Sequence, residues 1–236
     1  RLPRPPMPRN SMPTTSSLFA TLALCALAAA QDPAPKPDPK PAPKADTPKA
    51  ETPKVLAIGD QLPKGMSLRG LDGKIQRFDD LKGKVVVLHF WSSTCPWEVL
   101  AEPKLNALAD AFAGKDVVVL GIAANANEIG EPPTPEAFDD KDADKRPYPK
   151  LRAKAAESKA NHPILVDHDA VFGKLLDAKT TPHCFVFDKD LVLQYQGALD
   201  DDGQGKKPSP TRYVHDAVTA LLAGDAPPVQ TTKPYG

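Results

Sequence analysis

The stretch His89-Phe90-Trp91-Ser92-Ser93-Thr94-Cys95-Pro96-Trp97 constrains this chain more than any other. Lys84 to Trp91 (KVVVLHFW) is a β-branched, nearly unbroken apolar run, the pattern of a parallel strand buried on both faces. A short polar loop follows, and then a cysteine immediately before a proline. Proline is pre-organised for the first position of a helix, so Pro96 opens one and Cys95 caps it. The cysteine then faces orphan N–H groups at the positive end of that helix, a placement that favours thiolate. The alternative reading of Cys95 is a small buried residue without chemistry.

The rest of the globular part alternates strands and helices. A helix is expected from Pro96 to about Ala113, with Val99, Leu100, Leu105, Leu108 and Phe112 as its apolar positions and a kink at Pro103. Asp116 to Ala123 (DVVVLGIA) is a second buried strand. Gly59 to Phe78 holds turns and short strand-like pieces, and Gly130 to Pro149, acidic and Pro-rich, reads as an inserted loop. Tyr148 to Asn161 and Ala170 to Ala178 read as helices flanking a short strand at Pro163 to Val166. Cys184 to Asp188 and Leu191 to Gly197 form a hairpin around Asp188-Lys189-Asp190, and Ser209 to Ala223 is a closing helix. This order implies an α/β fold, a mostly parallel sheet with helices on both faces, an outline that several folds share.

Before residue 55 the chain changes character. Residues 1–30 form a signal peptide region: Arg9 supplies a short positive segment, Leu18 to Ala30 an apolar run of thirteen, and Ala28-Ala29-Ala30 a small-residue cleavage signal. The run falls short of the ~20 residues a membrane span needs. The chain starts at Arg1, and Met7 and Met12 are both candidate starts. Cys25 invites a lipid-anchor reading, which Leu24 disfavours. Residues 31–54 are a Pro/Lys/Ala-rich disordered linker, extended because proline at nearly every second position forbids helix. Residues 55–229 are the folded domain and 230–236 a C-terminal tail. Export to the periplasm or the outside is expected, with membrane contact only through an uncleaved signal. Thirty basic and thirty acidic residues leave a net charge of zero, which removes the electrostatic case for nucleic acid.

A second signal is Thr180-Thr181-Pro182 directly before the strand His183-Cys184-Phe185-Val186-Phe187. Proline at the head of an internal strand suits a cis Thr181–Pro182 bond. With that segment the chain resembles the redoxin group of thioredoxin-like proteins, related to the alkyl hydroperoxide reductase and thiol-specific antioxidant family. The matching residues are Gly59-Asp60, Leu71-Asp72-Gly73, Leu81-Lys82-Gly83-Lys84, Phe90-Trp91 to Cys95-Pro96, Thr181-Pro182, Phe185 to Asp188, Tyr195-Gln196-Gly197 and Asp200-Asp201. The resemblance implies a thioredoxin-like fold with a central mixed sheet, and it implies that Cys95 is the nucleophile and that a cis Pro182, with Thr181, forms a substrate groove beside it. Trp91, Ser92, Thr94, Pro96, Trp97 and His183 would line the pocket.

The departures from that family carry as much information. Thioredoxins proper use Cys-x-x-Cys; here Glu98 stands in the second-thiol position of Cys95-Pro96-Trp97-Glu98. A dithiol cycle through this motif is excluded. Glu98 is a candidate proton donor or acceptor, or else a first-turn acid favoured by the helix dipole. At the offsets of the peroxiredoxin Pro-x-x-x-Thr-x-x-Cys motif stand Leu88 and Ser92, and Thr-Pro-His occupies the place of the peroxide-polarising arginine. Cys184 is a candidate resolving thiol through a Cys95–Cys184 disulfide, or an inert core residue. His183 is a candidate catalytic or metal-holding partner of Cys95, or else a satisfied surface or pocket histidine. Many relatives also carry a cysteine just after a C-terminal Tyr-Gly like Tyr235-Gly236, so the resemblance leaves a resolving thiol after that point as a further alternative.

His89 reads as a core histidine, His162, His168 and His215 lack ligand spacing, and the run Asp139 to Asp144 reads as a solvated loop. No metal site and no cofactor are expected. The function expected is that of an exported thiol–disulfide oxidoreductase acting through one cysteine, on a disulfide-containing protein and with an external thiol reductant. The alternatives are a weak thiol peroxidase acting on peroxide and a non-catalytic binding module.

Overall fold

The protein was analysed as a computed structural model, which describes residues 54–236. The signal and linker readings lie outside the described residues. The elements, in chain order, are β1 (Ser67–Gly70), β2 (Ile75–Arg77), β3 (Val85–Trp91), α1 (Pro96–Ala111), β4 (Val117–Ala123), α2 (Ala126–Ile129), α3 (Pro149–Glu157), β5 (Ile164–Val166), α4 (Val171–Leu175), β6 (Cys184–Phe187), β7 (Leu193–Gly197) and α5 (Tyr213–Ala223). Short 3-10 turns cover Phe78–Leu81, Pro135–Asp139 and Ala143–Lys145.

One mixed sheet runs β2-β1-β5-β4-β3-β6-β7. β3, β4 and β5 are parallel; β6 and β7 on one side, and β1 and β2 on the other, are antiparallel additions. β3 sits between β4 and β6, which is why all seven of its residues are buried and why its sequence has no alternation. The pleat sorts its side chains. Val86, Leu88 and Phe90 join Phe78, Phe172, Phe185 and Phe187 on the face covered by α4 and the Phe78–Leu81 turn. Val85 and Val87 join Leu105, Leu108, Val214 and Val218 on the face covered by α1 and α5. Trp91 extends the latter face into a third cluster with Leu151, Ile164 and Val166, capped by α3.

Two expectations need correction. The inward face of α1 is Glu98, Ala101, Glu102, Leu105 and Leu108, whereas Val99 and Leu100 are 59% and 43% exposed. Apolar spacing misassigned the first turn because two carboxylates, not aliphatics, point inward there. The closing helix starts at Tyr213 and not Ser209, since Pro210 and the bond from Thr211 N–H to Asp201 hold the preceding residues in a loop. α1 runs uninterrupted past Pro103, which leaves the Val99 carbonyl without its helical donor.

Residues 230–236, read as a tail, pack against the domain. Thr231 bridges Gln196 of β7, Thr232 N–H donates to the Gln196 carbonyl, and Gln196 N–H donates to Gln230. The Tyr195 hydroxyl bonds Thr232 Oγ1 at 2.6 Å.

Candidate active site

Cys95 reaches its position through register. β3 ends at Trp91, and three residues later the chain turns into α1 with Cys95 as N-cap and Pro96 at the first helical position. β6 runs antiparallel to β3 with His89 opposite Cys184, and Phe90 N–H donates to the His183 carbonyl. Extending β6 backwards by that register carries Thr181 and Pro182 past the end of β3, beside the cysteine. The Thr181–Pro182 bond is cis. Cys95 Sγ donates to the Thr181 carbonyl at 3.1 Å, and the cysteine is half-buried. An open cleft of about 560 Å³ lies alongside, bounded by Trp91, Ser92, Asn125, Lys174, Lys179 and Thr181.

The loop before Cys95 is organised by a residue that sequence reasoning missed. Glu128, on α2, accepts from Ser93 N–H and Ser93 Oγ, both at 2.6 Å, from Thr94 Oγ1 at 2.9 Å, and from Ser92 Oγ. Asn125 Nδ2 adds another bond at 2.8 Å, and the Asn125 side chain also caps α2. Burial pushes the Glu128 carboxyl up, but these donors outweigh it and hold its pKa below the usual range. No spacing in the sequence links residue 128 to residues 92–94; the only local signal was Asn125, an N-cap type, three residues before an acid.

Behind Cys95 lies a pair of buried acids. Glu98 is 3% and Glu102 2% exposed, one helical turn apart on the inward face of α1. Among the described residues, neither Glu98 oxygen has a hydrogen-bond partner, and Glu102 has only Trp91 Nε1, at 3.1 Å. Burial, then Glu102, then Cys95 push the Glu98 pKa up to about 9, so the group is an uncharged acid at neutral pH. Glu102 is also raised, by burial, against the pull of Trp91. The two acids line a cavity of about 180 Å³ together with Ser92, Pro103 and Ser158. Glu98 was legible by its offset from Cys95; Glu102 was not, because an acid inside an amphipathic helix reads as surface.

The other candidates separate. Cys184 is completely buried in the α1–α5 core, and both thiols are free among the described residues. Burial, with Glu98 and Asp200 adding to it, drives the Cys184 thiol well above its ordinary pKa. A resolving role would need this thiolate, which the surroundings disfavour. His183 does not join Cys95. Strand alternation turns it to the opposite face from Cys184, where its ring lies 4.3 Å from that of Phe185 and Nδ1 accepts from Lys179 N–H. Burial brings its pKa down to about 4. Trp97 is half-buried and stacks near Tyr235 at 5.9 Å between ring centroids. His89 and His162 meet Nε2 to Nε2 at 2.8 Å, both held neutral by burial. Among the described residues no group of three or more His, Cys, Asp or Glu side chains could hold a metal.

Comparison with known proteins agrees with this geometry. The model of the AhpC/TSA family matches residues 58–196. Over 126 residues the chain is 28% identical to the thiol-disulfide oxidoreductase YkuV of Bacillus subtilis, covering 53% of this chain and 74% of that protein. It is similar in structure to an uncharacterised conserved protein of Geobacillus kaustophilus (26% identity, 77% of this chain, 95% of that one, TM-score 0.61). A hypothetical protein of Sinorhizobium meliloti is similar too (23% identity, 78% and 93%, TM-score 0.62).

Proposed function

The chain belongs to the AhpC/TSA family and has a thioredoxin-like fold, and from that premise we propose that it is an exported thiol–disulfide oxidoreductase acting through Cys95 alone. One observation carries this reading: a half-exposed cysteine caps α1 and points its sulfur at the Thr181 carbonyl, 3.1 Å away.

In the step proposed, Cys95 loses its proton to water and the thiolate attacks one sulfur of a substrate disulfide. A Cys95–substrate disulfide forms and the substrate's other sulfur leaves as thiolate. Glu98, an uncharged acid at neutral pH, supplies the proton to that leaving group by way of the cavity it lines with Ser92, through which it is also reprotonated from solvent. An external thiol then attacks the mixed disulfide, reducing it and releasing Cys95. The neutrality of Glu98 also removes the repulsion that a carboxylate in this position would exert on the thiolate. The backbone of Thr181 and Pro182 borders the approach to Cys95, and access to that edge decides the class of disulfide that can react.

The similarity to YkuV supports disulfide chemistry over peroxide chemistry. So does Ser92: in a peroxidase its hydroxyl would face the substrate, and here it is committed to Glu128. Export rests on residues 7–30, with their apolar run and small-residue end. The test is exchange with a model disulfide under excess thiol. Turnover that vanishes in Cys95→Ser and survives in Cys184→Ala supports the proposal; peroxide consumption without disulfide exchange overturns it.

A further inference from the structure

The edge beside Thr181 is already covered by the chain itself. We propose that residues 233–236 form a strap over this edge, with Tyr235 as its latch, so that Cys95 reacts with small disulfides in preference to polypeptide ones. The inference rests on the oxidoreductase reading above and names its substrate class.

Tyr235 is fixed on three sides. Its ring lies 5.9 Å from that of Trp97, two residues after Cys95. Its other side presses on Gly203 so closely that a Cβ there would lie 2.7 Å from the ring, which bars any larger residue. Its hydroxyl donates to Asp200 Oδ1 at 3.0 Å, and Asp200 is itself buried and paired with Lys104 at 2.7 Å. Upstream, the Thr232 bonds to Tyr195, Ala198 and Gln196 hold the segment to β7. Downstream, Thr180 Oγ1 donates to the Tyr235 carbonyl at 3.3 Å. Gly236 packs so tightly that a Cβ on it would lie 2.6 Å from the Thr181 carbonyl oxygen. That oxygen is the acceptor of the Cys95 thiol.

An extended polypeptide docking by strand addition needs the backbone of Thr180 and Thr181 free on that side. Tyr235 and Gly236 stand there. A small disulfide needs only the sulfur of Cys95, which is half-exposed. A polypeptide must first displace the strap, breaking the Tyr235–Asp200 bond and the contact with Trp97.

The experiment compares the full chain with Tyr235→Ala, each verified as folded by thermal unfolding. Two rates are measured at Cys95 for each protein: alkylation by iodoacetamide, and alkylation by a maleimide carried on an extended peptide. Their ratio, peptide over small reagent, is expected to rise roughly tenfold in the variant, the worth of one hydrogen bond and one aromatic contact. Tyr235→Phe, which keeps the ring and loses the Asp200 bond, is expected to fall between. An unchanged ratio, or a rise of both rates together, overturns the strap. Alkylation needs no disulfide exchange, so the strap is judged even if the oxidoreductase reading fails. That failure would appear separately, as no reaction of Cys95 with oxidised glutathione in either protein.

Discussion

Replacing Glu98 by glutamine is expected to stabilise the protein while slowing its chemistry. The carboxyl titrates at 4.5 in an unfolded chain and at about 9 in the folded one. Between those values folding must take up a proton, so the contribution of this group to stability falls as pH rises from 4.5 to 9 and is constant below 4.5. At pH 7 the cost is about 3 kcal/mol, from 1.36 kcal/mol for each pH unit above 4.5. Glutamine carries the same shape with no proton to bind. Its amide is left as unpartnered as the acid it replaces, so that term cancels. Denaturant unfolding of Glu98→Gln should show a gain of about 2–3 kcal/mol at pH 7 that shrinks towards zero near pH 4.5 and grows towards pH 9. Disulfide exchange should meanwhile drop by roughly 10²-fold, the usual worth of a positioned proton donor. A gain that does not vary with pH would mean that Glu98 takes up no proton on folding, and a loss of stability at pH 7 would mean that it is ionised and partnered; either result overturns the assignment of an uncharged Glu98.

Glu128→Ala should slow exchange at Cys95 at least as much as Thr94→Ala, because it strips the acceptor from Ser92, Ser93 and Thr94 together; hydrogen exchange of Ser93 N–H should rise in parallel. The stability loss should be about 1–3 kcal/mol, limited by the half-exposure of the site. Cys184→Ala should leave exchange within about twofold, since a fully buried thiol held high in pKa takes no part at neutral pH. Acid should destabilise the fold below about pH 6.5, because His89, His162 and His183 are neutral when folded and protonated when unfolded, and their three protons outweigh the one that Glu98 takes up over the same range. His162→Gln, which keeps a hydrogen-bonding nitrogen opposite His89, should flatten that acid slope by about one proton.

What could be read in the residues followed periodicity and covalent geometry. β3 was legible because a strand buried on both faces has an unmistakable composition, and the start of α1 because proline fixes it. Thr181-Pro182 was legible because proline is out of place before an internal strand. The misread parts are those that tertiary packing decides. Val99 and Leu100 look like core until the sheet turns Glu98 and Glu102 inward instead. The pairing of His183 with Cys95, the weaker of its two readings, fails because one step of strand alternation sends the ring to the other face. Glu128 is separated from the loop it organises by a whole helix and strand, so no local pattern announces it. The packing of residues 230–236 depends on the Gln196 edge of β7 and on Gly203, neither visible as a partner in a linear reading.

If Cys95 alone performs exchange, it is the one thiol that forms a mixed disulfide. Intact-mass and peptide mapping of the full chain after incubation with oxidised glutathione at pH 7 tests it most directly. The expected product is a glutathione adduct at Cys95, reversed by an external thiol, with Cys184 remaining a free thiol. An adduct at Cys184, a chain lighter by two hydrogens through a Cys95–Cys184 bond, or no adduct at all would contradict it.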